Sequence, residues 1–84
     1  MEITERENKE KIEEMRKAIE DLVGKTVMTA IEMSFTTIYD IDAWTIDLEQ
    51  IEKIQNVLKT FDWKAVNLRI YKNKVSLTIQ KRLE

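Results

Sequence analysis

The sequence has no cysteine, no histidine, no proline and a single glycine among its 84 residues. Without cysteine no disulfide can staple the chain, and without cysteine and histidine the usual ligand sets of zinc, copper, haem and iron–sulfur centres are missing. The same two absences remove Ser-His-Asp and Cys-His nucleophilic catalysis and leave carboxylates, Lys and Tyr as the only acid–base groups. Proline and glycine are too scarce for a disordered linker. No apolar run comes near the ~18 residues that a membrane helix needs. The first residues, Met1-Glu2-Ile3-Thr4-Glu5-Arg6, are charged and lack the apolar core of a signal peptide, so a cytoplasmic protein with no membrane partner is expected.

What remains is 43% hydrophobic and 36% charged, with a formal charge of −2. A chain of this length makes one domain, residues 1–84, and buries only about 60–65% of its unfolded surface. Its core is thin. Small domains often add a disulfide, a metal or a second subunit, and only the last of these is left open here.

Two helices can be read from apolar periodicity. Ile12, Met15, Ala18, Ile19, Leu22 and Val23 form one helical stripe. Thr4 and Glu7 fit a capping box, and Gly24 sits where a left-handed cap needs a residue without Cβ. Residues 1–11 carry almost no apolar side chain, so this end of the helix is expected to project beyond the core. A second helix is predicted over 48–60. Its cap is Asp47, with Gln50 completing the box, and its buried stripe is Leu48, Ile51, Ile54, Val57, Leu58 and Phe61.

The last third alternates as strands do. Val66, Leu68 and Ile70 can pair with Ile79, Leu77 and Val75 across a tight turn at Lys72-Asn73, or across a four-residue loop from Tyr71 to Lys74 in the same register. Residues 26–46 are rich in β-branched side chains, which favours two strands. A hairpin matching Met33 with Ile41 and Ile31 with Ala43 would keep Val27, Thr29, Ile31, Met33 and Phe35 on one apolar face. Val27, Ile31, Phe35 and Ile38 also fit a helix, so the stretch is open between the two. With strands, the order is α-β-β-α-β-β, an α+β, two-layer domain with a mostly antiparallel sheet and two helices on one face. A shift of 39 residues overlays Ile12 on Ile51, Met15 on Ile54, Leu22 on Phe61 and Val27 on Val66, which would fit either an internal duplication or any two helix–strand units.

Charge is unevenly placed. Residues 1–58 hold seven Lys/Arg against 14 Asp/Glu, and residues 59–84 hold seven against two. From Glu32 to Glu52 there are six acids and no base. Such a split speaks to partners. Three pairings compete: acid with base inside one chain, acid with base between two copies, or either with a different partner. Three surfaces follow. If Trp44 lies on the outer side of the second strand, Met28, Ala30, Trp44 and Ile46 form a candidate protein interface. Arg69, Tyr71, Lys72, Lys74 and Arg82 combine cations with an aromatic, as sheets that bind single-stranded nucleic acid do. Asp40, Asp42, Asp47 and Glu49 could form an acidic surface that mimics nucleic acid, or hold a hard cation, although no calcium-loop pattern accompanies them. The resulting expectation is a non-enzymatic protein–protein interaction or regulatory module, self-associating as a homodimer, with no cofactor and no catalytic or metal-ligating residue. Nucleic-acid binding by the C-terminal hairpin and acidic mimicry are the alternatives.

Overall fold

A computed structural model describes the backbone of residues 2–83 and the side chains of residues 6–83. The elements are α1 (Glu2–Val23), β1 (Val27–Glu32), β2 (Thr36–Asp42), α2 (Leu48–Thr60), β3 (Trp63–Ile70) and β4 (Lys74–Lys81). The strands form one antiparallel sheet in the order β1-β2-β4-β3. Residues 26–46 therefore contain two strands, and the α+β reading in α-β-β-α-β-β order holds.

α1 begins at Glu2, before the predicted cap Thr4, whose side chain lies outside the described residues. It ends at Gly24, which has φ +70° and returns its N–H to the Glu20 carbonyl at 2.9 Å. Only a residue without Cβ takes that conformation at no steric cost. α2 is capped by Asp47, whose Oδ1 accepts the Glu49 N–H at 2.9 Å. Gln50 does not close the predicted box. Its Oε1 accepts the Trp44 indole N–H at 2.7 Å instead.

One face of the sheet carries the core. Ile12, Met15, Ile19 and Val23 of α1 and Ile54 and Leu58 of α2 pack on Val27, Tyr39, Ile41, Val75, Leu77, Ile79 and Trp63. Arg16 fastens α1 to the first strand. Its guanidinium donates to the Val27 carbonyl at 2.8 Å and pairs with Glu13 and Glu20, at 2.6 and 3.0 Å. The hydrogen bond from Arg16 holds the Glu13 carboxyl below its ordinary pKa. Glu20 also accepts the Val27 N–H at 3.4 Å.

The β1–β2 register differs from the expected one, and a β-bulge interrupts each hairpin. Between Thr29 and Ile31 the β1–β2 ladder slips, leaving Ala30 extra. The hairpin turns at Ser34-Phe35, where the Met33 N–H donates to the Thr36 carbonyl at 2.9 Å, so Ile41 faces Val27 rather than Met33; the bulge then puts Ile31 opposite Ile38 on the outer side. In β3 the slip falls between Ala65 and Asn67, so Ala65 rather than Val66 faces Ile79, while the Leu68–Leu77 and Ile70–Val75 pairs stand as predicted. A bulge reverses which side chains point inward, so Trp63 and Ala65 turn toward the core and Val66 is left exposed. The β3–β4 turn is the short one, with the Tyr71 N–H donating to the Lys74 carbonyl at 2.8 Å. The order β1-β2-β4-β3 exchanges the two helix–hairpin halves about an axis between β2 and β4. The 39-residue overlay fits the helices, matching buried Ile19 with buried Leu58, but fails in the strands, where buried Val27 falls on exposed Val66.

Thr37 is fully buried beneath the helices, and its hydroxyl has no hydrogen-bond partner. Valine has nearly the same shape and no hydroxyl to desolvate. Thr37→Val is expected to stabilise the fold by about 1–2 kcal/mol, read as a higher urea midpoint at unchanged slope. A lower midpoint would show that the hydroxyl is satisfied in solution.

Candidate interaction surfaces

The face of the sheet opposite the helices is uncovered, and cross-strand partners place its side chains in rows. One row runs Met28, Asp40, Ser76, Arg69, and the next runs Ile31, Ile38, Thr78, Asn67. At one end Asp42 faces Lys74, which faces Tyr71. The β1–β2 half of this face is acidic and apolar, and the β4–β3 half is basic.

The predicted interface of Met28, Ala30, Trp44 and Ile46 does not form. Met28 and Ala30 are exposed on the first strand, with Met28 at 65%. Trp44 is 7% exposed within the core. The reason is local. β2 stops at Asp42 and Ala43 adopts φ +54°, in the left-handed region. This non-glycine conformation costs roughly 1–2 kcal/mol. It breaks the alternation and carries Trp44 to the helix side, where its indole N–H finds Gln50 and Ile46 packs against the core.

The predicted nucleic-acid face is only partly assembled. Arg69, Tyr71, Lys72 and Lys74 are exposed at the β3–β4 turn end. Arg82 lies past the far end of β4, bound through its N–H to the Asp62 carbonyl at 2.8 Å. An eight-residue strand separates it from Lys72, roughly 26 Å at 3.3 Å per residue. Asp40 and Asp42 stand on the same face as these cations, so it is not a uniformly basic track for phosphates. The predicted acidic surface is divided too. Asp40 and Asp42 project from the open face, whereas Asp47 caps α2 and Glu49 lies in its first turn, in the other layer. Among the described residues no three His, Cys, Asp or Glu side chains gather as they would around a metal ion. Acid and base meet inside the chain only sparingly. The Asp40–Lys74 pair, at 3.6 Å, is the one ion pair among the described residues that joins the acidic middle to the basic hairpin.

A different surface emerges at the open end of α2 and β3. Leu48 was expected in the buried stripe but is 81% exposed, and Ile70 is 72% exposed although it sits on the helix-facing side of β3. Geometry explains the second. α2 has 13 residues, about 20 Å at 1.5 Å each, while the eight residues of β3 extend about 26 Å. The strand outruns its helix by roughly two residues. Between them opens a mostly apolar groove of about 180 Å³, lined by Trp44, Ile51, Ile54, Gln55, Ala65, Asn67, Leu68 and Leu77. Ile51 and Gln55 also border a second, shallower depression on α2, together with Leu48, Glu49 and Glu52. Sequence periodicity marks Leu48, Leu68 and Ile70 as core. Only a comparison of helix and strand lengths would have marked Ile70 as unshielded. Among the described residues no helix is long and apolar enough to cross a membrane. Comparison with protein-family models, with curated proteins and with solved structures returned no match.

Proposed function

We propose that this chain is a non-enzymatic protein-interaction module that associates with itself. The observation that carries the reading is the unshielded apolar end between α2 and β3, where Leu48 and Ile70 stand in solvent beside a groove walled by Leu68, Ile51 and Trp44. Removing apolar surface from water contributes about 25 cal/mol per Å². A small domain with a thin core has reason to cover such a patch with a second copy. The sparse pairing of its acidic and basic zones within one chain supports the same reading, because both remain free to meet another chain.

Sedimentation velocity over a dilution series tests it. The mass is expected to rise from 10.0 kDa toward twice that value with concentration. Leu48→Ser with Ile70→Ser should hold the protein at the lower mass with little change in thermal stability, because both side chains are exposed. A constant 10.0 kDa at the highest attainable concentration would remove self-association.

A further inference from the structure

We infer that the second copy docks edge to edge on β3, the two β3 strands running antiparallel with Ile70 opposite Ile70 of the second copy across a twofold axis. The inference rests on the self-association proposed above and supplies its geometry.

The first observation is where the sheet edges are closed. On β1 the outward N–H and C=O of Val27 are taken by Glu20 and Arg16, and the bulge at Ala30 breaks the edge beyond it. On β3 the Ala65 N–H is capped by Gln55 at 3.3 Å and the Leu68 N–H by the Asn67 side chain at 2.9 Å. Ile70 differs. The Tyr71 N–H bonds inward to Lys74, so alternation of the ladder turns both backbone groups of Ile70 outward. Among the described residues no side chain caps them. Ile70 can thus exchange two hydrogen bonds with its counterpart.

Charge then selects the register. Setting Leu68 against Ile70 of the second copy would place Arg69 against Arg69, and like charges directly opposed are destabilising. Setting Ile70 against Ile70 places Arg69 opposite Tyr71 of the second copy, a cation over an aromatic ring, twice per dimer. The same register brings the β3–β4 turn of the second copy, which carries Lys72, past Leu68 toward the side of α2 that carries Glu52. The basic turn of one copy meets the acidic helix of the other, and the two Ile70 side chains cover one another on the side where Leu48 waits. Two four-stranded sheets become one of eight strands.

The test is a charge swap read by sedimentation and by amide exchange. Glu52→Lys alone and Lys72→Glu alone are each expected to weaken self-association about tenfold, because each homodimer then opposes like charges twice. An equimolar mixture of the two variants restores it, since both pairs are again opposite in sign. In the wild-type protein the Ile70 amide should exchange at least about tenfold more slowly in the concentrated than in the dilute sample, while Ala65 is unchanged. A dimer indifferent to both reversals, with Ile70 unprotected, overturns this geometry and leaves self-association standing. A monomer at every concentration overturns both. An Ile70 amide that is protected only when a peptide of alternating Ile and Lys is added assigns the edge to a foreign strand and overturns the second copy as its occupant.

Discussion

Trp63→Ala is expected to lower the stability of this fold by about 3–5 kcal/mol, the range for deleting a large aromatic from a packed core. Trp63 is fully buried, opens β3 and faces Lys81 of β4. Its neighbour Asp62 has φ +68°, so the backbone that delivers the indole is itself in the left-handed region, and burial of the ring must offset that cost. An 84-residue domain at 0.05–0.15 kcal/mol per residue has roughly 4–13 kcal/mol in all. The substitution therefore removes a large share, and the melting temperature should fall by about 15–30 °C. Leu48→Ala is the control. Sequence periodicity ranks Leu48 with the core, but at 81% exposure its truncation should change the unfolding free energy by no more than about 0.5 kcal/mol. Comparable losses from the two substitutions would contradict the arrangement of the helix–sheet core.

The contrast between these residues shows how far the sequence reaches. Both helices and the C-terminal hairpin follow from period and capping, because a 3.6-residue stripe and a two-residue alternation need no tertiary information, whereas the first two strands were favoured only by their β-branched residues. The failures sit where one residue changes the phase and at the β1–β2 turn, which falls at Ser34-Phe35 with no glycine or asparagine to mark it. Ala30 and Val66 are inserted in β-bulges, and neither is a glycine or any other residue that marks a bulge beforehand. Each shifts the inward set by one. That shift puts Trp63 and Ala65 inside, leaves Val66 outside, and ends the apolar face of β1 at Thr29. Ala43 changes the phase in another way, through a left-handed φ that an alanine rarely adopts. It turns Trp44 into the core instead of onto the outer side of the second strand and dissolves the interface that depended on that placement. The uneven charge was fully legible. What it did not disclose was layer, since Asp40 and Asp42 face one side of the sheet while Glu49 and Glu52 belong to the helix on the other. The candidate site at the end of α2 and β3 was legible only as a stretch of expected core, because exposure there depends on how far two elements of different rise per residue overlap.

Alkaline pH should destabilise the protein through Tyr39, and Tyr39→Phe should abolish that part of the dependence. The phenol is fully buried on β2 and donates to the Ile12 carbonyl of α1 at 2.5 Å. Burial raises its pKa well above the ordinary value; the charges of Glu13 and Glu32 add to the shift, and Arg16 opposes it. A phenolate there would also turn its oxygen on a carbonyl oxygen, with no proton between them. The sign follows directly. Above about pH 10 the unfolded chain releases the phenol proton while the folded chain retains it, so the unfolded state binds fewer protons and stability falls as pH rises. The contribution is intact below pH ~10 and is lost above it at up to about 1.4 kcal/mol per pH unit. Near pH 7 Tyr39→Phe costs about 1 kcal/mol for the lost hydrogen bond. The two stability curves should therefore converge above pH ~10 and cross near pH ~11, beyond which the phenylalanine variant is the more stable. The other titrating groups are common to both proteins and cancel in the difference. Urea unfolding of both proteins across this range measures it, and parallel curves would mean that the Tyr39 hydroxyl reaches solvent in the folded state.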